Sequence, residues 1–229
     1  PMNVAYHLGR LGLRPLPVTA VGRDFLGDEL LRRMHRWGMD TACVTTNEHP
    51  TGAVLVELNA AGIPQFNILE GVAWDHIQLN DAARDAARQA RAVIYGTLAQ
   101  RCAPNRERVL ELFALAPQAL RIFDVNLRPP ADDPEVIQLL AARAQVIKLN
   151  HDELHRLTGR RFHADDCDPA ARAFSRSNGC STICVTAGPR GAGLLMDGTW
   201  HWADARPVQV RDTVGSGDSF LASLTRSLL

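Results

Sequence analysis

Four short apolar segments alternate with helix-forming segments in the middle of the chain, and this alternation limits the fold more than any other feature. The apolar segments are residues 92–96, 121–126, 145–150 and 182–186, and the helical segments that precede them lie near residues 80–90, 104–115, 134–142 and 169–177. Apolar strands that are joined by helices pair in parallel, through right-handed connections that place helices on both faces of the sheet. We therefore predict an α/β fold built on a mostly parallel sheet.

The sequence also predicts secondary structure for several segments outside this core. Residues 1–12 fit a helix with Val4, Leu8 and Leu11 on one face, ended by Gly12. A short strand at 16–21 and a helix that runs to about Trp37 follow. Residues 193–202 predict a hairpin, because an Asp-Gly pair separates two extended runs.

Residues 42–70 do not continue the alternation of strands and helices. They contain three short extended runs, at 42–46, 52–59 and 64–69. The second and third runs predict a hairpin that turns near Gly62. Such an insertion is typical of a small β lid, although an edge extension of the main sheet fits the same pattern equally well. We expect a single domain over residues 1–229, to which residues of about 42–70 contribute the lid.

The composition excludes several classes of function. Basic and acidic residues balance at 25 each, which gives no indication of a nucleic-acid partner. The chain has no apolar run of membrane-spanning length, and its five cysteines form no C-x-x-C pair. These features predict a reduced, cytoplasmic protein with neither a nucleic-acid nor a membrane partner.

The single lysine of the chain, Lys148, limits how a nucleotide could be bound. A Walker-type phosphate loop requires a Gly-Lys-Ser/Thr sequence, whereas Lys148 lies between Ile147 and Leu149 in an apolar strand. A nucleotide site in this chain must therefore lack a P-loop.

Polar residues follow the ends of the predicted strands, where ligands bind in open α/β sheets. They are Thr97, Asp124, Asn126, Arg128, Asn150, Glu153 and Thr186, and Gly188 comes two positions after Thr186. Taken singly, each fits an ordinary turn or helix cap, and Asn150 with Glu153 matches a capping box. Together, these carboxylates and the arginine favour a magnesium–nucleotide site.

The stretch from Asp212 to Phe220 contains two glycines around Ser216, followed by Asp218 and an apolar helical segment. One interpretation is a capped turn at the start of a helix. The other is an anion-binding loop whose backbone N–H groups and helix dipole face a phosphate. In that interpretation Asp218 is a general base beside a phosphoryl-transfer site.

Five motifs, in order along the chain, resemble the ribokinase-like (PfkB) sugar kinases. Residues 212–220, DTVGSGDSF, are similar to the family signature D-T-x-G-A-G-D-x-F. The segments N-H-D-E at 150–153, T-A-G-P-R-G at 186–191, G-R-D-F-L-G at 22–27 and N-V-A at 3–5 resemble the other family motifs. Residues 96–99 and 124–129 look most like those of fructokinases.

The resemblance implies a three-layer α/β/α fold with a β lid and ATP-dependent phosphorylation of a sugar hydroxyl. It implies Asp218 as the catalytic base and an anion hole formed by Gly215, Ser216 and Gly217. The remaining implied contacts are Asn150 and Glu153 for Mg²⁺ and its waters; Thr186, Gly188 and Gly191 for ATP; Asn3 and Asp24 for the sugar; Arg101 and Arg128 for sugar or phosphate; and Asp212 and Thr213 for a monovalent cation such as K⁺. A homodimer that pairs through the lid is a further expectation.

Relative to the family pattern, the chain begins after the first strand with its acidic sugar ligand and ends soon after the signature helix. We therefore expect either a fragment of a longer kinase or a reduced, catalytically impaired relative that still binds a sugar or nucleotide. Among kinases, the fructokinase pattern leads, but a kinase for a sugar acid such as 2-keto-3-deoxygluconate or for a nucleoside fits the same residues.

Overall fold

The fold is described from a computed structural model that covers residues 2–58, 64–129, 131–163, 166–209 and 212–229. Its α-helices are α1 (Met2–Arg10), α2 (Phe25–Arg36), α3 (Asp81–Arg88), α4 (Ala103–Leu115), α5 (Pro134–Ala141), α6 (His151–Thr158), α7 (Asp168–Asn178) and α8 (Ser216–Leu228). Its strands are β1 (Thr19–Gly22), β2 (Val44–Asn47), β3 (Val54–Leu58), β4 (Pro64–Ile68), β5 (Ala92–Gly96), β6 (Leu120–Asp124), β7 (Val146–Asn150), β8 (Thr182–Thr186), β9 (Ala192–Met196) and β10 (Thr199–Ala203).

The main sheet has six strands in the order β10-β9-β8-β7-β6-β5. The strands from β5 to β8 pair in parallel, whereas β9 pairs antiparallel with both β8 and β10. The four apolar segments therefore form a parallel sheet, as the sequence predicts, and the hairpin extends it on one side.

Helices cover both faces of the sheet. Consecutive strand residues point in opposite directions, so neighbouring side chains contact different helix layers. Ile122 in β6 packs with α1 and α8, while its neighbour Phe123 packs with the layer formed by α4, α5, α6 and α7. Both side chains are fully buried. This arrangement confirms the three-layer α/β/α architecture.

The hairpin β9–β10 turns at Asp197 and Gly198, with φ angles of 50° and 75°. Two consecutive positive φ angles are what a two-residue type I′ turn requires, and Asp-Gly tolerates them well. The sequence prediction for this turn is confirmed.

One prediction for the first helix was wrong. Helix α1 buries Val4, Ala5 and Leu8, but it ends at Arg10, and Leu11 is 41% exposed beyond it. The left-handed Gly12, where φ is 80°, follows the helix end as the sequence predicts, but Leu11 lies in the turn before it and not on the buried helix face.

The region predicted as a lid divides into two parts. Strand β2 pairs in parallel with β1, in a separate two-stranded sheet, so residues 44–47 do not belong to the hairpin. Strands β3 and β4 pair antiparallel and form the hairpin itself. The predicted turn at Gly62 lies outside the described residues. We call β3 and β4 the lid hairpin.

Among the described helices, none combines the length and the apolar character needed to cross a bilayer.

Candidate functional site

The packing of α1 against α8 brings the two ends of the chain together at Asp218. Val4 and Leu8 of α1 contact Leu221 and Ala222 of α8 in one buried cluster. As a result, Asn3 Nδ2 donates a hydrogen bond to Asp218 Oδ2 over 2.9 Å. The structure thus unites the predicted sugar contact with the predicted base.

The start of α8 has the backbone geometry of an anion-binding loop. Gly215 precedes the helix with φ 78°, a left-handed conformation that favours glycine. Asp212 Oδ1 accepts from the N–H of Val214 at 2.9 Å, and the Ser216 N–H donates to the Thr213 carbonyl at 3.1 Å. The N–H groups of Gly217 and Asp218 have no acceptor in the described part of the chain. The first turn therefore offers two donors to an anion, while the Ser216 N–H is already used within the loop.

Lys148 lies directly beneath this first turn. A Cβ placed on Gly217 would sit 3.4 Å from Lys148 Nζ. Lys148 Nζ also contacts Asp124 Oδ1 at 2.9 Å, and the two side chains are only 7% and 9% exposed. The register of the sheet sets this pair, because Asp124 of β6 is opposite Lys148 of β7. The buried ammonium of Lys148 therefore lies next to the first turn of α8, which carries the N–H groups of Gly217 and Asp218.

The carboxylates around Lys148 affect each other. Burial raises the pKa of Asp124, and the charge of Asp218 raises it further, while Lys148 opposes both effects. Burial likewise raises the pKa of Glu153, against the hydrogen bonds it accepts from backbone N–H groups. Asp124, Lys148, Glu153 and Asp218 thus form one electrostatically connected group, which one buried cation balances only in part.

Asn150 and Glu153 form a capping box, which is the structural role that the sequence predicts for them. Asn150 Oδ1 accepts from the Glu153 N–H at 2.8 Å, and Glu153 Oε2 accepts from the Asn150 N–H at 2.7 Å. Glu153 Oε1 accepts from the N–H of Leu127 at 2.8 Å, which ties α6 to the loop after β6. Each carboxylate oxygen keeps one lone pair, so Glu153 retains the capacity to hold a water of a magnesium shell.

The predicted nucleotide residues lie at the end of the neighbouring strand. Thr186 ends β8 opposite Asn150 of β7. Gly188 and Gly191 flank a short 3₁₀ turn with φ angles of 57° and 125°. A Cβ on Gly191 would lie 2.1 Å from the Ala203 carbonyl oxygen, so this glycine also allows the loop to approach β10.

Asp24 makes its hydrogen bonds at the start of α2 and at Thr51. It caps α2 by accepting from the Gly27 N–H at 2.8 Å, and it accepts from the N–H and the hydroxyl of Thr51 at 2.7 Å each. These hydrogen bonds, led by that of the Thr51 N–H, lower the pKa of Asp24. Asp24 therefore joins α2 to the segment that enters the lid hairpin, and no hydrogen bond joins it to Asp218 among the described residues.

The two predicted arginines have different surroundings. Arg101 is held by Asp75 at the base of the lid hairpin, through bonds of 2.8 and 2.7 Å. Arg128 is exposed, and its Nη1 donates to the carbonyl of its neighbour Leu127 at 2.8 Å. Among the described contacts, neither arginine touches the Asp218 group.

Sequence reasoning missed the site role of Lys148 and the partner of Arg101. A lysine within an apolar strand was a usable signal for the first, because a charge buried in a parallel sheet requires a partner. The pairing of Asp75 with Arg101 had no local signal, since it joins positions 26 residues apart.

The chain is similar in sequence to known carbohydrate kinases. The profile of the pfkB family carbohydrate kinases matches residues 1–229. The aminoimidazole riboside kinase of Salmonella typhimurium is 31% identical over 236 residues, which cover 99% of this chain and 72% of that protein. The fructokinase of Escherichia coli is 26% identical over 236 residues, covering 100% and 75% respectively.

A similar structure also has a nucleotide bound. It is that of an uncharacterized sugar kinase from Pyrococcus horikoshii in complex with ATP. It superposes with a TM-score of 0.81 at 27% identity, over 97% of this chain and 72% of that one.

Proposed function

The chain belongs to the pfkB family of carbohydrate kinases, and we propose that it transfers the γ-phosphoryl group of ATP to a hydroxyl group of fructose. One observation carries this proposal: Asp218 lies in the first turn of α8, next to the buried Lys148, where the N–H groups of Gly217 and Asp218 have no acceptor among the described residues. A base, an anion-binding turn and a compensating cation are the parts that phosphoryl transfer needs.

In this mechanism Asp218 acts on the sugar. Asn3 holds the carboxylate through its 2.9 Å hydrogen bond and fixes its direction. The carboxylate removes the proton of the attacking hydroxyl while the new O–P bond forms and the bond from Pγ to the bridging oxygen of ADP breaks. The proton ends on Asp218, and the electron pair of the broken bond leaves with ADP.

The start of α8 and Lys148 act on the phosphate. The N–H groups of Gly217 and Asp218 donate to the oxygens of the transferred group, and the helix dipole favours its negative charge. Lys148 supplies a fixed positive charge directly behind these donors, where burial strengthens its effect. The pair with Asp124 keeps the ammonium in place.

We assign magnesium to Glu153, through water, with Asn150 beside it. The metal supplies charge neutralisation for the phosphates of ATP. Glu153 would hold a water of the magnesium shell through its remaining lone pairs, and the capping box fixes the carboxylate. For the nucleotide, we propose Thr186, Gly188 and Gly191; for a monovalent cation such as K⁺, we propose Asp212 and Thr213.

A coupled assay of ADP release over a panel of sugars tests this function. The panel contains fructose, ribose, 2-keto-3-deoxygluconate, adenosine and aminoimidazole riboside, each with and without K⁺. We expect fructose-dependent ADP release that K⁺ accelerates. A protein that binds ATP but releases no ADP with any acceptor would instead be a non-catalytic relative.

A nucleoside is the second candidate acceptor. The 31% identical Salmonella relative is named as an aminoimidazole riboside kinase, which makes a ribosyl acceptor the main competitor of fructose. The same panel separates the two candidates. A fructokinase would have its highest kcat/KM with fructose, and a nucleoside kinase would have it with a nucleoside.

We also propose a homodimer that forms through the lid hairpin. Its support is the exposure of three consecutive apolar side chains on β3, namely Val54, Leu55 and Val56. Sedimentation velocity of the wild type and of V54S/V56S should show a dimer only for the wild type.

A further inference from the structure

The most enclosed ion pair near the lid hairpin joins Arg101 to Asp75. Their side chains are 10% and 1% exposed. Arg101 Nε donates to Asp75 Oδ1 at 2.8 Å, and Nη2 donates to Oδ2 at 2.7 Å. This two-bond geometry fixes the guanidinium and compensates its charge at the same time.

Further contacts hold the guanidinium at the base of the lid hairpin. Nη2 also donates to the carbonyl of Leu69, the first residue after β4, at 2.7 Å. The guanidinium carbon lies 4.1 Å from the centre of the Trp74 ring. These bonds use Nε and Nη2, and Nη1 donates in none of them; the thiol of Cys102 also interacts with the guanidinium.

A cavity of about 390 Å³ lies beside this pair. Its charged lining residues are Arg101, Asp75, Glu70 and Asp133, which set one guanidinium against three carboxylates. Thr97 also lines it, and the Thr97 hydroxyl donates to the carbonyl of Val125. Val125 directly follows Asp124, the partner of Lys148, so a lining residue of the cavity is bonded to the loop that leaves the candidate site.

We propose that Asp75 is a specificity-determining residue that masks the charge of Arg101, so that the cavity accepts the neutral, hydroxyl-bearing part of a sugar and rejects a carboxylate or phosphate. The proposal rests on the function proposed above, in that the bound molecule is a sugar. Of the two contacts expected for Arg101, sugar or phosphate, the proposal keeps the sugar and excludes the phosphate.

The charges of the wall supply the physical reason. With Arg101 compensated, Glu70 and Asp133 leave the lining negative, and an anionic substrate would be repelled. Nη1 still offers hydrogen bonds to hydroxyl oxygens. Burial by itself raises the pKa of Asp75, but the hydrogen bonds from Arg101 and from the Val72 N–H, with the charge of Arg101, outweigh it and hold that pKa below its usual value. The Asp75 carboxylate, which compensates the charge of Arg101, is therefore ionised at neutral pH.

Equilibrium binding of fructose and of gluconate, an anionic sugar acid, tests the mask without requiring turnover. Isothermal titration calorimetry at low salt would compare the wild type with D75N, which keeps the shape of the side chain and exposes the charge of Arg101. We expect D75N to bind gluconate at least tenfold more tightly than the wild type does, with a gain that salt reduces. E111Q is the matched control, because it removes a carboxylate paired with Arg84 at 2.9 Å, away from this cavity. It should leave both affinities unchanged.

The double variant D75N/R101M covers the case in which D75N does not fold, since it leaves no buried charge unpaired. It should bind gluconate as weakly as the wild type and fructose more weakly, because the Nη1 donors are lost. The proposal is overturned if the folded D75N gains no affinity for gluconate, or if the double variant keeps wild-type affinity for fructose. Absence of turnover with every acceptor would instead refute the kinase function and leave this binding comparison intact.

Discussion

Asn3 and Asp218 are 215 positions apart in the chain, yet the side-chain amide of Asn3 donates to the Asp218 carboxylate over 2.9 Å. The contact exists because α1 and α8 pack side by side on one face of the sheet. Asp218 is therefore oriented from outside its own helix, while the first turn of α8 places it next to free N–H groups. Position and orientation of the proposed base come from two different elements.

Replacement of Asp218 by Asn should remove the base and keep the shape of the site. We expect kcat to fall by about 10²–10⁴-fold, the usual contribution of general base catalysis. The Kd for ATP should change little, because the N–H groups and Lys148 remain. Turnover is measured by ADP release and ATP binding by calorimetry. S223A, on an exposed position of the same helix, is the control. Near-normal turnover of D218N would exclude Asp218 as the base.

Replacement of Lys148 by Met should remove the positive charge beneath the proposed anion-binding turn and keep a side chain of similar length. We expect kcat to fall by about 10²-fold or more, as with the loss of one preorganised electrostatic contact. K148R keeps a positive charge in a bulkier, planar group and should retain an intermediate rate. Circular dichroism should confirm that both variants fold, since K148M leaves Asp124 buried without its partner. Equal rates for K148M and the wild type would remove Lys148 from the mechanism.

Replacement of Gly215 by Ala tests whether the left-handed backbone at the start of α8 serves function. Its φ is 78°, and Gly38, which follows α2, has a similar φ of 69° with open space where a Cβ would lie. G215A and G38A should each lose about 1–2 kcal/mol of stability, the cost of a left-handed residue with a Cβ. Only G215A should also lose turnover, by tenfold or more. Thermal unfolding and ADP release give the two readouts, and matching losses of activity would argue against a special role for the loop.

The acid side of the stability profile should report the Asp75–Arg101 pair. The folded-state pKa of Asp75 lies below its unfolded value, which is about 3.8, so the unfolded state binds the proton more readily. The stabilisation by the pair is therefore fully present above that unfolded pKa and is lost as the pH falls through the folded pKa. Urea unfolding from pH 6 to pH 2 should show a larger acid-induced loss for the wild type than for D75N/R101M. Parallel curves would show that the pair does not contribute in this way.

Local sequence patterns predicted most of the backbone. The strands from β5 to β8 and the hairpin β9–β10 follow from apolar runs and an Asp-Gly turn, because such patterns act through neighbouring residues. The capping box of Asn150 and Glu153 was equally readable, since both bonds form within one helical turn. The placement of Leu11 on the buried face of α1 was wrong, because Leu11 lies in the turn after the helix. The pairing of β2 with β1 had no prediction from the sequence, since it joins separate segments of the chain.

The sequence by itself determined the α/β fold class, and its family motifs indicated the proposed anion-binding turn at the start of α8 and Asp218 as the proposed base. These features depend on residues that are close in the chain. Only the tertiary structure decided which charges meet: Lys148 with Asp124 across two strands, Arg101 with Asp75 below the lid hairpin, and Asn3 with Asp218 across two helices. The physical reason is that a buried charge depends on the nearest partner in space, and strand register and helix packing place that partner.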